Sequence, residues 1–144
     1  MTRIAINGLG RIGRATLKIL LDSESFTLVA VNDIVPPDNL AYLLKYDSVY
    51  GVYDKKIEVL EDKLVIEDHE IRVLHEKNPA QLPWDEMNVH TVIESTGIFT
   101  EKEDLEKHIE AGAKKVILSA PSKSEEVVTI VHGVNTSEDQ VISC

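Results

Sequence analysis

The chain predicts an α/β fold: a doubly wound, mostly parallel sheet with an inserted antiparallel meander of strands. Three observations carry that expectation. Short apolar runs alternate with helix-periodic segments along the whole chain. The first strand passes through Gly8-x-Gly10-x-x-Gly13 into the first helix. An acidic residue, Asp33, closes the second strand 20 residues after Gly13, which completes a strand–helix–strand unit.

Each element follows from local pattern. Ile4, Ala5 and Ile6 form an apolar run suited to a strand buried on both faces. Asn7 and Gly8 end it, and residues 12–21 read as a helix with Ile12, Ala15, Leu17, Ile19, Leu20 and Leu21 as its apolar positions. Residues 26–32 are a second strand. A helix is expected between Pro37 and Asp47, with Leu40, Ala41, Leu43 and Leu44 on its apolar side and Asp38 near its positive end. Residues 47–54 read as a loop with two aromatic anchors, Tyr50 and Tyr53. Residues 56–60, 63–67 and 70–75 are three short strands, with turns at Glu61-Asp62 and Asp68-His69. Residues 78–84 form a helical turn between prolines, and Trp84 is its packing anchor.

The parallel plan resumes at residues 90–94, a strand that ends in Ser95-Thr96-Gly97. Thr100 is expected to N-cap a helix over residues 101–111, with Glu103 completing a capping box. Leu105, His108 and Ile109 form its inner face, and Gly112 supplies the stop. Residues 115–120 are another buried strand, halted by Pro121. Residues 127–131 and 140–143, separated by the Gly133-Val134-Asn135 turn, complete the sheet. No repeat or linker divides the chain, so residues 1–144 are expected to form one domain.

Composition narrows the function classes. The chain has 144 residues, 43% of them hydrophobic, and a formal net charge of −10. That charge disfavours nucleic acid and anionic membrane as bulk partners. No apolar run is long enough to span a bilayer. Arg3 leads straight into the first strand, so no signal peptide is expected. Cys144 is the one cysteine, which excludes an internal disulfide framework and a cysteine-based zinc site. His69, His75 and His90 have no metal-ligand spacing, so no metal is expected. The cytoplasm is the expected compartment.

The glycine pattern has a specific chemistry. Gly8 permits a tight turn, Gly10 lets backbone approach a pyrophosphate, and Gly13 lets helix pack closely on strand. Phosphates would meet the free N–H groups and positive dipole end of the helix starting near Arg11. Asp33 stands where a carboxylate accepts hydrogen bonds from the adenosine ribose hydroxyls, which favours NAD over NADP. In such a Rossmann-type sheet the ligand lies outside the carboxyl ends of the strands. That rule gathers Gly8 to Ile12, Asp33, Ser95 to Gly97, and Ser119-Ala120 around one crevice. Thr96 and Ser119 could bind ribose and carboxamide there, or could equally be turn formers.

These motifs resemble the N-terminal, NAD-binding domain of the phosphorylating glyceraldehyde-3-phosphate dehydrogenases. The resemblance is carried by Ile6-Asn7-Gly8-Leu9-Gly10-Arg11-Ile12-Gly13-Arg14, Val31-Asn32-Asp33, Leu44-Lys45-Tyr46-Asp47-Ser48, Glu94-Ser95-Thr96-Gly97-Ile98-Phe99, Ser119-Ala120-Pro121 and Gly133-Val134-Asn135. It covers essentially the whole chain in family order. It implies that Arg11 and Ile12 lie along the pyrophosphate, that Asp33, beside Asn32, holds the adenosine ribose, and that Lys77 lies by the adenine. It further implies that Thr96, Gly97, Phe99 and Ser119, with Ser95 beside them, line the nicotinamide side.

The family oxidises an aldehyde to an acyl phosphate with NAD and inorganic phosphate. A cysteine thiolate attacks the aldehyde, a hydride leaves to nicotinamide, and phosphate releases the thioester. The nucleophile belongs to a Ser-Cys-Thr-Thr-Asn motif, and this chain stops at Val141-Ile142-Ser143-Cys144. The family usually reads Ile-Ser, one residue, then Ala-Ser-Cys, and this resemblance implies that Cys144 stands three residues before the nucleophile; reading Ser143-Cys144 as the motif itself requires a three-residue deletion within a strand. The resemblance therefore implies a cofactor domain without catalytic residues, whose catalytic domain lies outside the sequence and whose parent is a homotetramer. A C-terminal helix that covers this domain in the family is also missing, which leaves a groove for self-association. The rival readings are an erythrose-4-phosphate dehydrogenase domain and a free-standing, non-catalytic nucleotide-binding module.

Overall fold

The computed structural model describes residues 1–48 and 50–144. In chain order the elements are β1 (Thr2–Asn7), α1 (Arg11–Leu21), β2 (Phe26–Asn32), α2 (Pro37–Lys45), β3 (Tyr46–Asp47), β4 (Gly51–Val52), β5 (Ile57–Leu60), β6 (Lys63–Ile66) and β7 (His69–Leu74). A 3₁₀ turn at Pro79–Gln81, β8 (Thr91–Glu94), α3 (Lys102–Glu110), β9 (Lys115–Leu118), β10 (Val128–Thr129) and β11 (Val141–Ser143) follow.

Nine of these strands form one sheet in the order β10-β11-β9-β8-β1-β2-β7-β6-β5. Strands β10, β11, β9, β8, β1, β2 and β7 pair in parallel. The chain leaves β1 for β2 on one side and, after the meander, returns to β8 on the other side of β1 and goes on to β9, so the topological switch point lies between β1 and β8. The expected meander is present, since β5, β6 and β7 pair antiparallel. Its last strand also pairs in parallel with β2, so β7 is both the end of the meander and a member of the parallel half.

The alternation of side chains builds a layer on each face. Ile4 and Ile6 join Leu17, Leu20 and Leu21 of α1 and Leu40 and Leu44 of α2 in one core. Ala5 points the other way, into a cluster with Trp84, Leu82, Val89 and Val92. In β2 both Leu28 and Val31 belong to the first core, although strict alternation puts residues three apart on opposite faces. The pairing resolves this. Ile4 opposes Leu28 while Ala5 opposes Ala30, so one extra residue, Val29, bulges and resets the alternation. A third cluster packs Leu105 of α3 on Val116 and Leu118 of β9 and Val141 of β11.

Several local expectations are corrected. Ile12 and Ile19 are 56% and 71% exposed; only Gly13, Leu17, Leu20 and Leu21 of α1 are buried. They lie on the flank of α1 away from the first core. The loop expected over residues 47–54 contributes the short ribbon β3–β4. Tyr50 is exposed and is no anchor, whereas Tyr53 packs against the first core; Val49 lies outside the described residues. The second hairpin turns at Glu67-Asp68, one residue earlier than expected. Thr100 does not cap α3. The N-cap position is Glu101, which makes no side-chain cap, and Ser124 Oγ accepts the Lys102 N–H at 2.9 Å instead. A residue 22 positions away in sequence has taken the role of the capping box.

Candidate functional site

The fingerprint loop is held by its own geometry. Gly8 has φ +93°, and a Cβ there would stand 2.7 Å from the Thr96 backbone nitrogen. The turn therefore needs glycine for conformation and for the close approach of the β8 end. Leu9, between the first two glycines, is 2% exposed and anchors the loop in the core. At Gly13 a Cβ would meet the Gly8 carbonyl and, at 3.1 Å, Ser95 Oγ; this glycine brings α1 against β1. Gly10 has nothing within 4 Å of a Cβ, so its outer side is open. The N-terminus of α1 carries no side-chain cap and no acid in its first turn. Its free N–H groups and positive dipole end are left for an external anion.

Asp33 lies just past the end of β2 and clamps that loop. Its Oδ2 accepts the Leu9 N–H at 2.7 Å and its Oδ1 accepts the Val35 N–H at 2.9 Å. A carboxylate has about four acceptor positions, so each oxygen keeps a lone pair for hydroxyls in the crevice. Arg14 Nη1 donates to the Leu9 carbonyl at 3.0 Å and ties the same loop back to α1.

At the switch point lies a cavity of about 470 Å³, lined by Asn7, Gly8, Gly10, Asn32, Asp33, Ile34, Glu76, Lys77, Ser95, Thr96, Ile98 and Phe99. Of the sequence-derived candidates it brings together Gly8, Gly10, Asn32, Asp33, Lys77, Ser95, Thr96 and Phe99. Arg11 and Ile12 are exposed on the first turn of α1, and Arg11 borders a separate cleft with Arg14, Lys18 and Tyr46. Gly13 is buried. Gly97 is exposed with φ +75°. Ser119 lies at the end of β9, its N–H and Oγ both on the Glu94 carbonyl.

Thr96 and Phe99 share a cavity with Asp33 and Lys77, whereas Ser119, expected beside them, lies outside it. Asn32 lines the cavity and also serves its frame. Its Nδ2 donates to Asn7 Oδ1 and to the Glu76 carbonyl, and its Oδ1 accepts the Glu76 N–H. Both N–H groups are spent on the frame that presents Glu76 and Lys77. Asn7, Ile34, Glu76 and Ile98 were missed. All four adjoin expected residues in sequence, Glu76 standing beside Lys77.

Behind the cavity runs a buried polar chain. Glu94, at the end of β8, and His108, on α3, are both fully buried. Glu94 Oε2 accepts from Asn7 Nδ2 at 2.7 Å and lies 2.6 Å from His108 Nε2. Its Oε1 accepts from the Thr96 N–H at 3.1 Å and Thr96 Oγ1 at 2.6 Å. Trp84 Nε1 donates to His108 Nδ1 at 3.0 Å. An indole N–H only donates, so Nδ1 accepts and the imidazole proton is on Nε2, aimed at Glu94. Burial of this carboxylate is thus matched by four donors.

Among the described residues no helix is long and apolar enough to cross a membrane. Comparison with known proteins identifies the family. A family profile described as "Glyceraldehyde 3-phosphate dehydrogenase, NAD binding domain" matches residues 2–102. Glyceraldehyde-3-phosphate dehydrogenase 2 of Staphylococcus epidermidis is 48% identical over 137 residues, 95% of this chain and 40% of that protein. The Mycoplasma pneumoniae glyceraldehyde-3-phosphate dehydrogenase is 47% identical, covering 98% of this chain and 43% of its own length. That of Thermotoga maritima is 45% identical over 100% of this chain and 45% of its own length. The chain thus spans less than half the length of these relatives. It belongs to the family of glyceraldehyde 3-phosphate dehydrogenase NAD binding domains.

Proposed function

We propose that this chain is the NAD-binding half of a phosphorylating glyceraldehyde-3-phosphate dehydrogenase, and that it binds NAD without catalysing turnover by itself. One observation carries the reading: the Asp33 carboxylate is locked onto the Leu9 N–H beside the open Gly10 and the uncapped start of α1. Ribose acceptor and pyrophosphate cradle are thereby one rigid unit.

In this reading the adenosine half enters the switch-point cavity between Ile34 and Lys77 on one side and Thr96, Ile98 and Phe99 on the other. The pyrophosphate crosses Gly10 and the first turn of α1, beside Arg11 and Ile12. The nicotinamide side extends toward Gly97 and Ser119 at the ends of β8 and β9. When bound, NAD supplies a hydride acceptor. This chain's residues bind and orient it, and the nucleophile, its base and the phosphate site belong to the remainder of a relative-length protein. Cys144 extends β11, its thiol on the Leu118 carbonyl at 3.6 Å, and is a framework residue in this reading. The same reading makes the parent a cytoplasmic homotetramer. The exposed Tyr42, Leu43, Tyr46, Tyr50 and Val52 offer apolar surface suited to association.

The test is calorimetric titration of the chain with NAD and NADP, repeated on Asp33→Ala. Expected are preferential NAD binding, a roughly tenfold loss in the variant (about 1.4 kcal/mol) and a weaker preference against NADP. No binding by a folded chain overturns the cofactor reading. Aldehyde- and phosphate-dependent NADH formation that Cys144→Ser abolishes overturns the non-catalytic part.

A further inference from the structure

We propose that His108 is a positioning residue for the cofactor crevice, acting through the Glu94 carboxylate on Thr96, Asn7 and Asn32. The inference rests on the cofactor reading above and extends it to a residue that lines no part of the cavity.

His108 lies on α3 and is fully buried. With Nδ1 committed to Trp84, its one remaining polar act is donation from Nε2 to Glu94 Oε2. That oxygen also accepts from Asn7 Nδ2, so His108 fixes where the shared oxygen stands and hence which way the Asn7 amide faces. With its nitrogen on Glu94, Asn7 turns its oxygen to Asn32 Nδ2 at 2.7 Å. Asn32 in turn holds the Glu76 backbone by both its carbonyl and its N–H. The other carboxylate oxygen holds Thr96 by backbone and hydroxyl. Thr96 backbone is the surface against which the Gly8 turn is packed.

One carboxylate therefore orients opposite walls of the cavity. The Thr96 wall hangs on Oε1, and the Glu76-Lys77 wall hangs on Oε2 through two amides. A carboxylate is acceptor-only, so its rotation about the Cγ–Cδ bond is set by its donors. Withdrawing the His108 donor leaves a fully buried oxygen short of a partner and frees the group to turn. The walls then lose register with each other, although no residue touching the ligand has changed.

Amide replacements separate this role from simple packing. His108→Asn retains an acceptor near the Nδ1 position for Trp84 and no donor that reaches Glu94. His108→Gln retains a donor near the Nε2 position. Ile109→Ala, on the same helix, removes packing against the third cluster and leaves the polar chain intact. All three should lower the melting temperature. NAD titration by calorimetry, well below those temperatures, is expected to show a Kd raised about fivefold or more in His108→Asn. His108→Gln and Ile109→Ala should stay within about twofold of the unaltered chain. An unchanged Kd in His108→Asn overturns the proposal, and so does equal weakening in all three variants. An unaltered chain that binds no NAD overturns the underlying cofactor reading instead.

Discussion

Gly13 lies against the carbonyl of Gly8, so close that a Cβ on Gly13 would fall inside the van der Waals shell of the Gly8 oxygen. The first turn of α1 is seated on the end of β1 with no room for one more methyl group. Gly10, three residues earlier, has nothing within 4 Å of the same hypothetical atom. The two glycines of one motif therefore answer to different constraints, and substitution should separate them.

Gly13→Ala must push α1 off β1, because the opposing atom is backbone and cannot rotate away. The expected cost is about 3 kcal/mol, a fall in melting temperature of roughly 10 °C for a chain of this size. Gly10→Ala has an acceptable φ of −72° and should change stability by less than about 1 kcal/mol. On the proposed function it should nonetheless weaken NAD binding, since the methyl group enters the open space beside the start of α1 that this reading gives to the pyrophosphate. Thermal melts with NAD titration of both variants check this. Equal loss of stability in both would show that the motif serves packing alone.

The start of α3 offers a second separation. Ser124 Oγ accepts the Lys102 N–H, and Ser122 Oγ holds the Thr100 carbonyl at 2.7 Å. Ser124→Ala is expected to cost about 1 kcal/mol, the ordinary value of a lost cap. Thr100→Val, at the position that sequence alone marks as the cap, should cost less, because its hydroxyl does not serve the helix end. Chemical denaturation of both variants decides between them.

Glu61 turns the β5–β6 hairpin with φ +51°, a region where residues without a short polar side chain are strained. Glu61→Asn should relieve part of that strain, worth about 1 kcal/mol, and raise the melting temperature by roughly 3 °C. The neighbouring turn is a poorer target despite its similar angle. Glu67 Oε1 accepts the Lys56 N–H there, and that bond would be lost with the side chain.

Most strands were legible in sequence because their signal is local. Residues 26–32 and the core of residues 115–120 are apolar runs that no helix period explains. The Gly8 turn and the carboxylate that clamps it were legible for the same reason, since both are set within one strand–helix–strand unit. What escaped depends on elements distant in sequence. The cap of α3 comes from Ser124, and the second role of β7 exists only once β2 lies beside it. Ile12 and Ile19 stand among the apolar positions of α1 in sequence, yet sequence does not show which flank of the helix the sheet takes. The Trp84–His108–Glu94 chain was half visible, with His108 already on the inner face of its helix. Its partner across the sheet could not be named until α3 and β8 were placed.

The central place of β1 bears on how the chain is made. It precedes the other described strands in chain order, and it ends up flanked by β2 on one side and β8 on the other. Its second neighbour begins at Thr91, so one edge of β1 stays unpaired until roughly two-thirds of this chain has been synthesised. Such long-range pairing is slow to close and exposes apolar edge in the interval. The Gly8 turn shares the delay, because Thr96, on which it packs, arrives later still. A nascent chain carrying the complete glycine motif has yet to build a pocket around it, and premature termination before Thr91 would release a sticky half-sheet rather than a small nucleotide binder.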